Sequence, residues 1–155
     1  MVDIAKKIHN LLLAKRKTLA TAESCTGGLL SHLITQNPGS SRYFLLGVNA
    51  YSNRAKELVL KIPHCLIAQK GAVSKEVALE MAGNIRRIIK ADFGIGITGI
   101  AGPSGATPLK PVGTVFIAVS AKKQNLCRKF ILRGSRNRIK KNAALKSLEL
   151  LKNLI

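Results

Sequence analysis

Acidic residues are scarce in this 155-residue chain: seven Asp and Glu stand against 26 Lys and Arg, for a formal net charge of +19. That scarcity starves any mechanism built on paired carboxylates, and Glu23 is the one acid beside a candidate turn. Aromatic residues are scarcer still, with no Trp, two Tyr and four Phe. Nucleic-acid surfaces stack bases on aromatic side chains, so the basic excess reads first as a solvated, lysine-biased surface. This holds although eleven basic residues fall between Lys122 and Lys152, with Glu149 the sole acid among them. Cysteines number three, Cys25, Cys65 and Cys127. Odd in number and widely spaced, they form neither a disulfide framework nor a zinc site, and they suit a reducing cytosol. His9, His32 and His64 are scattered without metal-ligand spacing, so no metal and no cofactor is expected. Long apolar runs are missing too. Leu11 to Ala14 is closed by Lys15, Arg16 and Lys17, and Phe93 to Leu109 is interrupted by five glycines and two prolines. Neither is a signal or membrane-spanning segment, and a cytoplasmic protein with no membrane partner is expected.

What is present is an α/β pattern. Ile4, Ile8, Leu11 and Leu12 recur at helical spacing, predicting a helix over residues 3–16. A strand from Thr18 to Ala22, a helix opening at Leu29, a strand from Tyr43 to Tyr51 and a helix from Asn53 to Leu60 follow. Ser74 is placed to cap a helix running to about Lys90. Phe93 to Thr98 reads as a central strand, and Gly99 to Pro111 as a long loop of the kind that carries function. Val112 to Ser120 and Leu126 to Leu132 form a hairpin, and a helix from Asn137 to Asn153 closes the chain. The expectation is one domain over residues 1–155, with a mixed sheet covered by helices on both faces.

Three constellations bear chemistry. In Glu23-Ser24-Cys25-Thr26-Gly27-Gly28, glycines let a ligand approach the backbone and Ser24 and Thr26 add hydroxyls; the same run also serves as a plain strand-to-helix turn. Gly94 to Gly99 spells G-x-G-x-x-G, but a dinucleotide site requires a helix directly afterwards and an acid about 20 residues on. Pro103, Pro108 and Pro111 forbid that helix, so the match is rejected; Thr98, Gly99, Ala101 and Gly102 remain a pocket-lining loop or a structural one. The third group is Ser40, Ser41, Tyr51, Ser52, Asn53 and Lys56. A lysine serves a serine nucleophile as base only when desolvation or nearby positive charge lowers its pKa. No Walker sequence and no G-x-S-x-G elbow is present.

Taken in order, Thr21 to Gly28, Pro38-Gly39-Ser40-Ser41, Tyr51-Ser52-Asn53 with Lys56, Gly71 to Ser74, Gly99 to Pro103 and Lys110 to Val115 closely resemble the C-terminal domain family of the competence/damage-inducible protein CinA, over essentially the whole chain. The resemblance implies a three-layer α/β/α sandwich, often a homodimer. It also implies a nicotinamide-nucleotide amidase, which converts nicotinamide mononucleotide to nicotinate mononucleotide and ammonia in pyridine-nucleotide salvage. Carried over by position, Ser41 is the expected nucleophile, Lys56 the base and Tyr51 the proton-relaying partner, with Ser24 the rival nucleophile. Ser24, Thr26, Gly27, Gly28, Thr98, Gly99, Ala101, Gly102 and Arg136 are the expected substrate-binding residues. Ser135 departs from the family, whose members commonly carry an acid there. Longer family members add an N-terminal molybdopterin-binding-like domain, which this sequence does not include. Two other readings stay open: a nucleotide-binding domain without turnover, and a basic nucleic-acid-binding module, nucleic acid being the less expected partner.

Overall fold

A computed structural model of the chain describes residues 4–155. The element order is α1 (Ile4–Lys15), β1 (Leu19–Glu23), α2 (Leu29–Thr35), β2 (Phe44–Asn49), α3 (Asn53–Leu58), α4 (His64–Lys70), α5 (Lys75–Ile88), β3 (Phe93–Gly99), β4 (Thr114–Ala121), β5 (Asn125–Ile131) and α6 (Arg136–Lys152). The predicted start of the first helix, at residue 3, lies outside the described residues. Two short elements escape the sequence pattern. One is a single 3-10 turn at Ser40–Arg42. The other is α4, seven residues bounded by Pro63 and Gly71 that bury only Ile67 and so display no apolar stripe.

The sheet runs β2-β1-β3-β4-β5. β1 is parallel to β2 and to β3, while β3–β4 and β4–β5 are antiparallel, so the sheet is mixed as expected. Side chains alternate between faces with the strand period of two. Leu19, Ile95, Ile97, Val115, Ile117 and Val119 pack with α1, α2 and α6 on one face. Ala20, Ala22 and Ala118 lie on the other, which α5 covers. The result is the three-layer α/β/α arrangement.

The second face is paved with small residues for a steric reason. In register, Ala20 neighbours Gly94, and Gly96 lies between Ala22 and Ala118. A Cβ on Gly94 would sit 2.1 Å from the Ala82 carbonyl oxygen of α5, and one on Gly96 would sit 2.4 Å from that of Ala78. Gly94 and Gly96, two of the three glycines that spell a nucleotide motif, are therefore contact points of helix on sheet. Their absent side chains let α5 lie against the strands.

Candidate active site

The site follows from strand direction. Glu23 pairs with Asn49 on one side and Ile97 on the other, so the segments leaving β1, β2 and β3 emerge together at one end of the sheet. The β1-to-β2 connection runs through α2 on one face, and the β2-to-β3 connection through α5 on the other. A crevice opens where such connections diverge, beyond the carboxyl ends of parallel strands.

Ser24 is the first residue past β1, and its N–H donates to the Ile97 carbonyl (3.0 Å). Glu23 holds the turn that follows. Its carboxylate is fully buried and accepts from the N–H groups of Gly28 (3.0 Å), Leu30 (3.0 Å) and Ser31 (2.8 Å) and from the Ser31 hydroxyl (2.7 Å). The sequence marks Glu23 as the one acid beside this turn, without a role for it. Its signal was its place one residue before a turn that leads into a helix whose first N–H groups need acceptors.

Lys56 comes from α3, which starts there because the Ser52 hydroxyl caps it, accepting from the Ala55 N–H (3.0 Å). The side chain turns inward and is 1% exposed. Its Nζ lies 3.0 Å from Ser24 Oγ and donates to the carbonyls of Ala50 (2.9 Å) and Tyr51 (3.4 Å). Burial lowers the pKa of this amine below its ordinary 10.5. Desolvation is the main cause. The Cys25 thiol beside it is buried as well, which pushes its pKa up to about 12, so it stays protonated.

Ser41 is elsewhere. It precedes β2, whereas Tyr51 and Lys56 follow it, and six strand residues at about 3.3 Å each separate the two ends by roughly 20 Å. Ser41 is solvent-exposed in the 3-10 turn, at the Leu19 end of β1. The expected contact between Ser41 and Lys56 is not formed. The hydroxyl against the lysine is that of Ser24. The position carried over from the family pointed to Ser41, but β2 lies between it and the lysine.

The remaining expected residues divide between two cavities. Ser24, Tyr51, Lys56, Thr98, Gly102 and Arg136 are among those lining one of about 300 Å3, to which Gly99 and Ala101 also belong. Thr98 Oγ1 donates to the Ala72 carbonyl (2.8 Å), fixing the end of β3 to the segment before α5. Arg136, the first residue of α6, donates through Nη1 to the Gly102 carbonyl (2.6 Å) and through Nη2 to the Tyr51 hydroxyl (2.7 Å). Ser135 provides the N-cap of that helix, accepting from the Arg138 N–H (3.3 Å). Thr26, Gly27 and Gly28 face a different cavity, formed with α6.

No group of three or more His, Cys, Asp or Glu able to hold a metal occurs among the described residues. No helix there is long and apolar enough to cross a membrane.

Comparison with known proteins agrees with this architecture. The family model described as the CinA C-terminal domain matches residues 1–155. A CinA-like protein of Anaeromyxobacter sp. (strain Fw109-5) is 50% identical over 141 residues, covering 91% of this chain and 34% of its own length. The chain spans little more than a third of the length of the curated relatives it matches. Among solved structures, the competence/damage inducible protein CihA from Agrobacterium tumefaciens superposes with a TM-score of 0.95 at 34% identity, covering 97% of this chain and 93% of that one. A CinA superfamily protein from Escherichia coli gives 0.94 at 30% identity, covering 98% and 88%.

Proposed function

Because the chain belongs to the CinA C-terminal domain family, we propose that it hydrolyses a carboxamide by serine–lysine catalysis, its substrate being nicotinamide mononucleotide. The observation that carries the reading is the 3.0 Å approach of a buried, desolvated Lys56 amine to the Ser24 hydroxyl. That pairing moves the nucleophile from Ser41 to Ser24.

Ser24 Oγ attacks the carboxamide carbon while neutral Lys56 takes its proton. The carbonyl oxygen becomes an oxyanion. The Thr26 N–H, just after the nucleophile, donates to no backbone carbonyl among the described residues and is the natural stabiliser, at ~3–4 kcal/mol per donor in comparable sites. The carbon–nitrogen bond then breaks, a proton returns to the departing nitrogen and ammonia leaves. Tyr51 relays that proton: its oxygen accepts from Arg136, so its O–H donates to the nitrogen while it takes the Lys56 proton in exchange, which leaves Lys56 neutral again. Water attacks the resulting ester, its proton passes to Lys56, and the carboxylate departs with Ser24 restored. Arg136, on the same cavity wall, supplies the positive charge for a substrate phosphate.

The test is ammonia release by purified protein from nicotinamide mononucleotide, beside nicotinamide and its riboside. Turnover of the phosphorylated compound alone is expected. Equal turnover of the riboside would remove the role of Arg136, and no turnover of any of them would leave a binding domain in place of an enzyme.

A further inference from the structure

The cavity that takes in Thr26, Gly27 and Gly28 has a volume of about 540 Å3 and shares no lining residue with the reaction cavity. Its other wall is the start of α6, which contributes Asn137, Lys140 and Lys141. No Asp or Glu lines it. Neither lysine takes part in any ion pair formed among the described residues. The Lys140 amine reaches over the turn, 3.5 Å from where a Cβ on Gly27 would be. Gly27 has φ +60°, so a bare backbone forms this stretch of the floor. Thr26 belongs to the same floor. Its Oγ1 is the one buried side-chain polar atom without a hydrogen-bond partner among the described residues, which is unusual for a native interior.

Two ammonium groups without a carboxylate partner, set over the bare backbone of Gly27 with no acid in the wall, make a concave surface suited to an anion. We propose that this cavity is a second binding site, separate from the reaction cavity, for a small phosphate-bearing molecule. The volume falls in the usual range for small-ligand sites, about 300–1,000 Å3. No Phe, Tyr or Trp lines it and His32 supplies its one ring, so successive bases of a nucleic-acid strand would find little to stack on. A compact phosphate ester, held between Lys140 and Lys141, fits the chemistry better than a polymer.

The test is titration of the whole chain with inorganic phosphate, followed by calorimetry and by 31P line broadening at about 0.15 M salt, where exposed charges are largely screened. Saturable binding is expected to the native chain, to R136Q, and to K122Q/K123Q, which removes the same charge outside this cavity. K140Q/K141Q is expected to bind at least about tenfold more weakly. An equal loss in K122Q/K123Q would reduce the effect to overall charge. Loss in R136Q alone would place the phosphate in the reaction cavity. A single-stranded oligonucleotide that binds through Lys140 and Lys141 where inorganic phosphate does not would assign the surface to nucleic acid. Each of these results overturns the proposal. None of the readouts needs turnover, so the outcome is independent of the amidase reading.

Discussion

Replacing Lys56 by Met removes the amine, keeps much of the side-chain volume, and separates what the lysine does for chemistry from what it does to the fold. If Lys56 is the base, the loss in kcat should be about 10^2–10^4-fold, or roughly 3–5 kcal/mol in the barrier. The native rate should rise with pH as the amine loses its proton, and level off below 10.5 because burial lowers its pKa. The variant's residual rate should lack that rise. Stability has an opposite logic. Met leaves the carbonyl of fully buried Ala50 without its donor, at about 1–3 kcal/mol, but it also removes an ammonium whose burial costs several kcal/mol. At neutral pH these offset one another. Their pH dependence does not, since the folded state holds the Lys56 proton less tightly than the unfolded chain. The unfolded state binds more protons between the lowered pKa and 10.5, so native stability rises with pH across that window and is lost as pH falls through it. Denaturant unfolding of both proteins at neutral and at alkaline pH isolates the effect: the native chain should gain on K56M as pH rises. Parallel stability curves would mean that Lys56 titrates as in water, and the desolvated-base argument would be refuted.

Four further outcomes follow from the geometry. S24A should lower ammonia release by about 10^3-fold or more, while S41A, on the exposed turn, should change it by less than about twofold; the reverse pattern would restore Ser41 as nucleophile. E23Q puts an amide nitrogen among four donors and should cost about 3 kcal/mol, seen as a Tm lower by about 6–12 °C; an unchanged Tm would show that the carboxylate is not holding the turn. G96A must push its methyl group against the Ala78 carbonyl at 2.4 Å and should cost about 1–3 kcal/mol in denaturant unfolding, whereas a nucleotide-binding role for that glycine would affect ligand affinity instead. In the native protein a thiol reagent should modify exposed Cys65 rapidly and spare Cys25, buried and raised to about 12; modification of Cys25 at a similar rate would reveal frequent opening of the nucleophile turn.

The elements were legible wherever burial imposes a period. α1 and α5 carry helical stripes, and β4 alternates Val115, Ile117 and Val119 toward one face. Local chemistry identified Ser74 as the cap of α5, where its hydroxyl accepts from Val77. α4 was illegible because it buries a single side chain, and the 3-10 turn at Ser40 is too short to have a period. The site was half legible. Ser24, Tyr51, Lys56, Thr98 and Arg136 were all singled out, but the serine expected at the lysine was Ser41, fifteen positions away in sequence, rather than Ser24, thirty-two away.

That mistake has one physical cause, strand order. Helical periodicity tells which face of an element is buried and says nothing about which strand lies beside which. With β1 between β2 and β3 and all three parallel, their carboxyl ends share one edge of the sheet. Ser24 leaves β1 there, Tyr51 and Lys56 follow β2 there, and Thr98 ends β3 there, while Ser41 is stranded at the opposite edge. The same order accounts for the lysine's burial. The polypeptide leaving β2 folds over the end of β1, where the Ala50 N–H donates to the Glu23 carbonyl (2.9 Å), and α3 then sends Lys56 back beneath it. A lysine buried in this way is fixed by the position of β1 between β2 and β3 more than by its immediate neighbours in sequence. Moving it one residue along α3 would rotate the amine by about 100°, out of reach of Ser24, so a variant that exchanges residues 56 and 57 should lose activity as completely as K56M although its composition is unchanged.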